Sequence, residues 1–154
     1  MSAAEALPDL PYLSAVVSEA LRMHPAVPIV MRRVRAPLTV GGIRWSPGDI
    51  VGIAVPAVHF DPAIWPDPCR FDPGRFLGES PTPFEYLPFG GGFRRCPGAS
   101  FAAYELAVSI GTLLNSVELQ MPSRERRRHP PRSAPRGIAV VPRREVWLDV
   151  MRRR

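Results

Sequence analysis

The 154-residue chain contains no lysine; all 20 of its basic residues are arginine. Cysteine and histidine are scarce: Cys69 and Cys96, and His24, His59 and His129. None of them group at zinc-ligand spacing, and two cysteines make no disulfide framework. A metal-stapled or disulfide-stapled domain is thereby disfavoured, and a reducing compartment fits. Long apolar runs are missing too. The longest, Ala99 to Leu114, is interrupted by Glu105 and is too short to span a bilayer. Residues 1–5 carry neither the basic segment nor the apolar run of a secretory leader. The expectation is a soluble, cytoplasmic chain with no membrane segment.

What the chain does have is 20 prolines and 12 glycines, which predict few long helices and many ordered loops. A hydrophobic share of 45% is enough for one packed domain. Charge is uneven. Residues 1–121 hold 9 arginines against 11 acids, and residues 122–154 hold 11 arginines against 3 acids. Such a tail can serve nucleic acid or an acidic partner. Here it lacks the interleaved aromatics of a single-strand binder. It is read as a solvated segment, with no nucleic-acid role.

Leu13, Val16, Val17, Ala20 and Leu21 recur at helical spacing and predict a helix over Tyr12–Met23. His24-Pro25 ends it, because proline disfavours helix in the residue before it. Residues 26–56 read as short strands, with Gly41-Gly42 and Pro47-Gly48 as turns and Val51–Val55 as the strongest strand. Residues 61–88 are proline-rich and aperiodic, an irregular loop long enough to imply function. A second helix is expected over 98–115. Residues 122–136 read as a basic, proline-rich mobile loop. Gly137–Val141 and Val146–Val150 are expected to pair as a terminal hairpin.

The most informative stretch is Phe89-Gly90-Gly91-Gly92-Phe93-Arg94-Arg95-Cys96-Pro97-Gly98. Three glycines permit positive φ and close approach of a flat partner. A cysteine follows just before a helix, where unpaired N–H groups favour a thiolate and lower its pKa. Arg94 adds a cation, and Pro97 suits the first helical position. A lone cysteine in such a place is most simply a buried, inert one, but the surrounding pattern argues otherwise.

This stretch resembles the haem-binding signature of the cytochrome P-450 family, F-x-x-G-x-R-x-C-x-G, through Phe89, Gly92, Arg94, Cys96 and Gly98. The resemblance implies that Cys96 is the proximal thiolate ligand of the iron, donating electron density that favours O–O cleavage. It implies that Arg94 pairs with a haem propionate. Phe89 would pack against the ligand loop, and Gly92 and Gly98 would allow close backbone approach.

Two further motifs agree. Glu19-x-x-Arg22 resembles the family's E-x-x-R, joined there by an arginine from a later loop. Here that arginine matches Arg75 in Phe71-Asp72-Pro73-Gly74-Arg75-Phe76, with Gly74 in place of the usual glutamate. The resemblance gives Glu19, Arg22 and Arg75 a structural role, pinning the long loop. After the helix, Arg32 would be a second propionate partner, and Val27 and Ile29 would face substrate. His59-Phe60-Asp61-Pro62, with Trp65 and Pro68, resembles H-R-D-P-x-x-W-x-x-P, with Phe60 replacing arginine. His59 is read as structural, and Cys69 has no matching role. Arg136–Pro142 resembles a hairpin whose strand touches substrate.

The resemblance is strong over residues 9–121 and treats 1–154 as one partial domain. The implied fold is mainly α with small β-sheets. It comprises the C-terminal portion of the family's fold, from the E-x-x-R helix through the cysteine loop and following helix to a terminal hairpin. The implied cofactor is haem b. The implied function is a monooxygenase acting on a small hydrophobic substrate, with a ferredoxin or reductase as electron donor. The family's central helix, with its acid/alcohol pair for proton relay, has no counterpart in these 154 residues, nor does most of the distal pocket. The expectation is therefore a split, truncated or C-terminal piece, possible partner to a separate N-terminal half. A catalytically inactive haem-binding remnant is one alternative, and a redox thiol at Cys96 is another.

Overall fold

The computed structural model describes residues 10–128 and 131–154. The leader reading of residues 1–5 and His129 lie outside the described residues. Helix α1, Pro11–Met23, opens with proline, whose missing N–H costs nothing there. It closes at His24, whose N–H reaches Ala20 O at 2.9 Å. The apolar stripe expected along α1 is only part of what it buries. Ala15 and Val17 are buried, and Glu19 and Arg22 are buried more deeply still, each at 0% exposure. A polar pair sits at the centre of this core.

Two antiparallel ribbons follow. Strand β1, Ile29–Arg33, pairs with β4, Ile50–Ala54, and β2, Leu38–Val40, pairs with β3, Ile43–Trp45. The strand expected over Val51–Val55 is displaced by one residue. Val55 already begins helix α2, Val55–His59, because Pro56 fits a first helical turn and could donate nothing to a ladder. From Phe60 to Pro97 the only regular structure is two short 3₁₀ turns, Pro73–Phe76 and Gly92–Arg94. Helix α3, Ala99–Ser116, packs against α1. No helix among the described residues is long and apolar enough to cross a membrane.

The tail departs from expectation in two ways. Residues 122–136 hold helix α4, Ser123–Arg126, and strand β6, Ser133–Arg136, rather than a featureless loop. The expected pairing of 137–141 with 146–150 is replaced by two others. Strand β7, Ala139–Pro142, pairs back on β6, because Gly137 at φ +65° is the turn and not the start of a strand. Strand β8, Asp149–Arg153, instead pairs with β5, Val117–Gln120, directly after α3. The β6–β7 hairpin is held to the segment after α1 by Val140 N–H to Ala26 O at 2.8 Å.

One buried carboxylate ties the basic tail together. Glu125 in α4 is 4% exposed and accepts from Arg128 at 3.0 Å and Arg144 at 2.8 Å. The hydrogen bond from Arg144, helped by both positive charges, holds its carboxyl below the ordinary range despite the opposing effect of burial. A carboxyl with a depressed folded pKa stabilises at neutral pH, and that stability is lost as acidification protonates it. Glu125→Gln should speed tryptic cleavage of the folded chain after Arg126, Arg127 and Arg144, leaving cleavage before residue 121 unchanged. Equal tail cleavage in parent and variant would contradict the clamp.

Candidate functional site

Among the described residues, the Arg22 guanidinium makes side-chain hydrogen bonds through all three of its nitrogens. Its Nε donates to Glu19 Oε2 at 2.7 Å and its Nη2 to Glu19 Oε1 at 2.9 Å. The remaining donors go to backbone carbonyls of the long irregular segment: Nη1 to His59 O at 2.6 Å and Nη2 to Pro68 O at 2.8 Å. Phe60 and Trp65 rings flank it at 5.4 and 5.3 Å, within cation–π range. Glu19 Oε1 also accepts the Asp72 N–H at 2.9 Å. A buried ion pair survives only when its spare donors and lone pairs are met, and here the loop's backbone meets them.

Arg75 is the looser third member. Its Nε lies 3.5 Å from Glu19 Oε1, while its Nη2 donates to Asp67 O at 3.0 Å. Tyr86, which no motif singles out, and His59, whose motif gives it a structural role, complete the attachment. Tyr86 donates from its hydroxyl to Ser18 O at 3.0 Å, and burial pushes its pKa up to about 12. His59, at 0% exposure, stacks on Tyr86 with ring centroids 5.7 Å apart. Its ring nitrogens face Arg22 O and Leu87 N–H, each at 2.8 Å.

The segment so anchored leads to Cys96. Gly90 N–H bonds to Leu87 O at 3.0 Å, and Cys96 N–H to Phe89 O at 2.9 Å, closing a compact loop. Gly90 and Gly92 hold φ of +71° and +64°, a region other residues enter at a cost. Gly98 caps α3 in an ordinary conformation, and a Cβ there would sit 3.8 Å from Cys96 Sγ, in plain van der Waals contact. Cys96 and Cys69 are free and exposed. Arg94 ends the 3₁₀ turn two residues before Cys96 and is exposed.

Two cavities lie against this loop. One of about 540 Å³ is lined by Gly90, Gly91, Gly92 and Leu87 on one side and by Val30, Arg32 and Ile53 of the β1–β4 ribbon on the other. A smaller one, about 240 Å³, is lined by Phe89, Tyr86, Arg95 and the facing surfaces of α1 and α3. Phe89 therefore packs behind the loop, between the helices. Of the residues expected at substrate, Ile29 does not line the large cavity. It lies with Met31 beside Gly52 on the opposite face of the ribbon. Val30 and Arg32, two apart, share the cavity face with Ile53. Val27 precedes β1 and is half-buried outside the cavity lining.

The family model for cytochrome P-450 matches residues 3–148. The chain belongs to the cytochrome P-450 family. Among relatives, cytochrome P-450 93B16 of Glycine max is 40% identical over 122 residues, covering 75% of this chain and 23% of that protein. Putative cytochrome P-450 135B1 of Mycobacterium tuberculosis is 44% identical over 108 residues, covering 70% and 23%. A retinoic acid-bound cyanobacterial CYP120A1 superposes with a TM-score of 0.70 at 33% identity, over 77% of this chain and 29% of that one. The chain thus spans about a quarter of the length of the P-450 relatives it matches. Haem is the cofactor of this family, and the residues present fit it. A free thiol on the loop and a glycine-lined apolar cavity with Arg32 in its lining match a flat apolar ring with carboxylate arms.

Removing either partner of the buried pair leaves an uncompensated charge. Glu19→Ala or Arg22→Ala should cost about 3–5 kcal/mol, a large part of a marginal stability. An unshifted melting curve in either variant would refute this. A pH effect follows from His59, whose pKa is lowered chiefly by burial. A histidine that protonates more readily unfolded than folded stabilises above its unfolded value of 6.5, and that stability is lost as pH falls below it. The melting temperature should drop between about pH 7.5 and pH 5.5 by more in the parent than in His59→Gln; parallel curves would contradict the assignment.

Proposed function

We propose that the chain is the haem-ligating part of a haem-thiolate monooxygenase, using haem b with Cys96 as axial ligand. The observation that carries this reading is the free Cys96 thiol on a loop braced at Phe89 and Leu87, whose Gly90, Gly91 and Gly92 line an apolar cavity together with Arg32. Arg32 and Arg94 would pair with the propionates through planar guanidinium forks. Gly92 and Gly98 would let the backbone approach closely. Phe89, packed behind the loop, would keep water from the sulfur. When bound, the haem would supply dioxygen and one-electron chemistry tuned by its thiolate.

The proposed reaction inserts one atom of dioxygen into an organic substrate and releases the other as water. Two electrons would come from a ferredoxin or reductase, and two protons from solvent would complete the water. The apolar faces of Val30, Ile53 and Val55 favour a small hydrophobic substrate. Tabersonine 6,7-epoxidase of Catharanthus roseus, 41% identical over 120 residues, has oxygen insertion in its name. A reducing, cytoplasmic setting is part of the proposal, in keeping with two free thiols. The second reading is a haem-binding chain without turnover. Adding the remaining segments of the fold as a separate N-terminal half distinguishes the two: coupled product formation supports the enzyme, and continued silence the second reading.

Cys96→Ala tests the ligand. The parent, expressed with a haem supply, should give the red-shifted Soret band of a thiolate-ligated, reduced CO complex, and the variant should lose it. Retention of that band by the variant would overturn the assignment.

A further inference from the structure

We infer that His59 is a positioning residue for the cysteine loop, a hydrogen-bonded strut that transmits the rigidity of the buried Glu19–Arg22 pair to Leu87 and so to Cys96. The inference rests on the proposed haem-thiolate reading only for its functional consequence. The geometry itself is independent of haem.

The protonation state of His59 can be assigned from its neighbours. Leu87 N–H can only donate, so His59 Nε2 must accept, and the ring proton sits on Nδ1, donating to Arg22 O. The ring is neutral, with both nitrogens committed to main chain. Arg22 returns the contact by donating from Nη1 to His59 O. His59 and Arg22 thus bind each other through reciprocal side-chain-to-backbone bonds. The ionisable groups around the ring are Arg22 and Glu19 from α1 and Tyr86 from the loop, and stacking on Tyr86 fixes its plane.

On the far side, Leu87 is the hinge at which the strut meets the loop. Its N–H goes to His59 and its carbonyl receives Gly90 N–H. Its side chain lies so close to Gly91 that a Cβ there would come within 3.2 Å of Leu87 Cδ2. Two residues on, Phe89 O receives Cys96 N–H at 2.9 Å. The path from α1 to the sulfur-bearing residue therefore runs through His59, Leu87 and Phe89 without a regular element. Between Phe60 and Cys96 the chain has no α-helix or strand ladder to set the loop's height, so this strut sets it together with the Tyr86 hydroxyl bonded to Ser18 O.

The test uses the whole chain. In the parent labelled with nitrogen-15, a through-hydrogen-bond coupling is expected between the Leu87 nitrogen and His59 Nε2; its absence overturns the inference. His59→Asn keeps a donor near the Nδ1 position but cannot reach Leu87, whereas His59→Gln can offer an acceptor near the Nε2 position. In His59→Asn without haem, Leu87 and Cys96 amides should exchange about tenfold faster relative to α3 amides, as expected for loss of one net hydrogen bond. His59→Gln should recover part of that protection. Unchanged exchange, or acceleration in equal proportion throughout α3, overturns the inference and leaves His59 a general stabiliser. With haem, the fraction of reduced CO complex in the thiolate form should fall in His59→Asn and rise again in His59→Gln. A parent with no thiolate band would defeat the haem reading, while the exchange comparison would still decide the role of His59.

Discussion

The structure depends on one expensive object, a fully buried glutamate–arginine pair. Taking two charges out of water costs several kcal/mol per ion unless every spare donor and lone pair is met. α1 cannot meet them alone. Glu19 and Arg22 satisfy each other through two bonds, and the rest must come from outside the helix. The carbonyls of His59 and Pro68 and the N–H of Asp72 supply it. A segment with too few regular elements to fold by laddering is thus ordered by its backbone acting as ligand to an arginine. Aromatic rings then wrap the pair: Trp65, Phe76 and Tyr86 lie with centroids 5.1–6.5 Å apart.

That arrangement explains why so proline-rich a stretch belongs here. Proline limits the conformations of an irregular segment before it folds, so less entropy is lost on fixing it. It also withholds N–H groups that the buried surroundings would have to satisfy. What remains are carbonyls, the groups an arginine wants. The cysteine loop inherits its position from this frame and contributes little of its own. The Gly92–Arg94 turn buries nothing, and Phe93 stands fully exposed. Large apolar side chains on the ribbon and on α3, such as Met31 and Phe101, are also exposed.

Much of this was legible in the sequence, for identifiable reasons. α1 and α3 announce themselves by apolar spacing, and α1 also by the proline signal at His24-Pro25; Pro97 does not take the first helical position, because Gly98 is the cap and α3 begins at Ala99. The cysteine loop is legible because its glycines and arginine carry chemistry in the side chain or in its absence. Failures occur where partner choice rests on main chain or on face. Val27–Met31 is a continuous apolar run, so alternation could not tell Ile29 from Val30. The tail strands have strand-like composition, but nothing in Val146–Val150 specifies β5 as partner. Gly137 borders an apolar, strand-like run, but its φ makes it a turn. Arg75 looked equal to Arg22 in the motif, yet it sits 3.5 Å from Glu19 while Arg22 makes two shorter bonds. The contact from His59 to Leu87 ends on a backbone amide and leaves no mark in residue identity.

The central claim is that the buried pair and the irregular segment form one cooperative unit with α1. Native-state amide exchange under increasing denaturant measures this directly, because groups that open together merge into one isotherm. The Asp72 and Leu87 amides, bonded to Glu19 and His59, should merge with those of the α1 interior. If they exchange through a separate, lower-energy opening while α1 stays protected, the loop is ordered independently of the pair and the account is wrong.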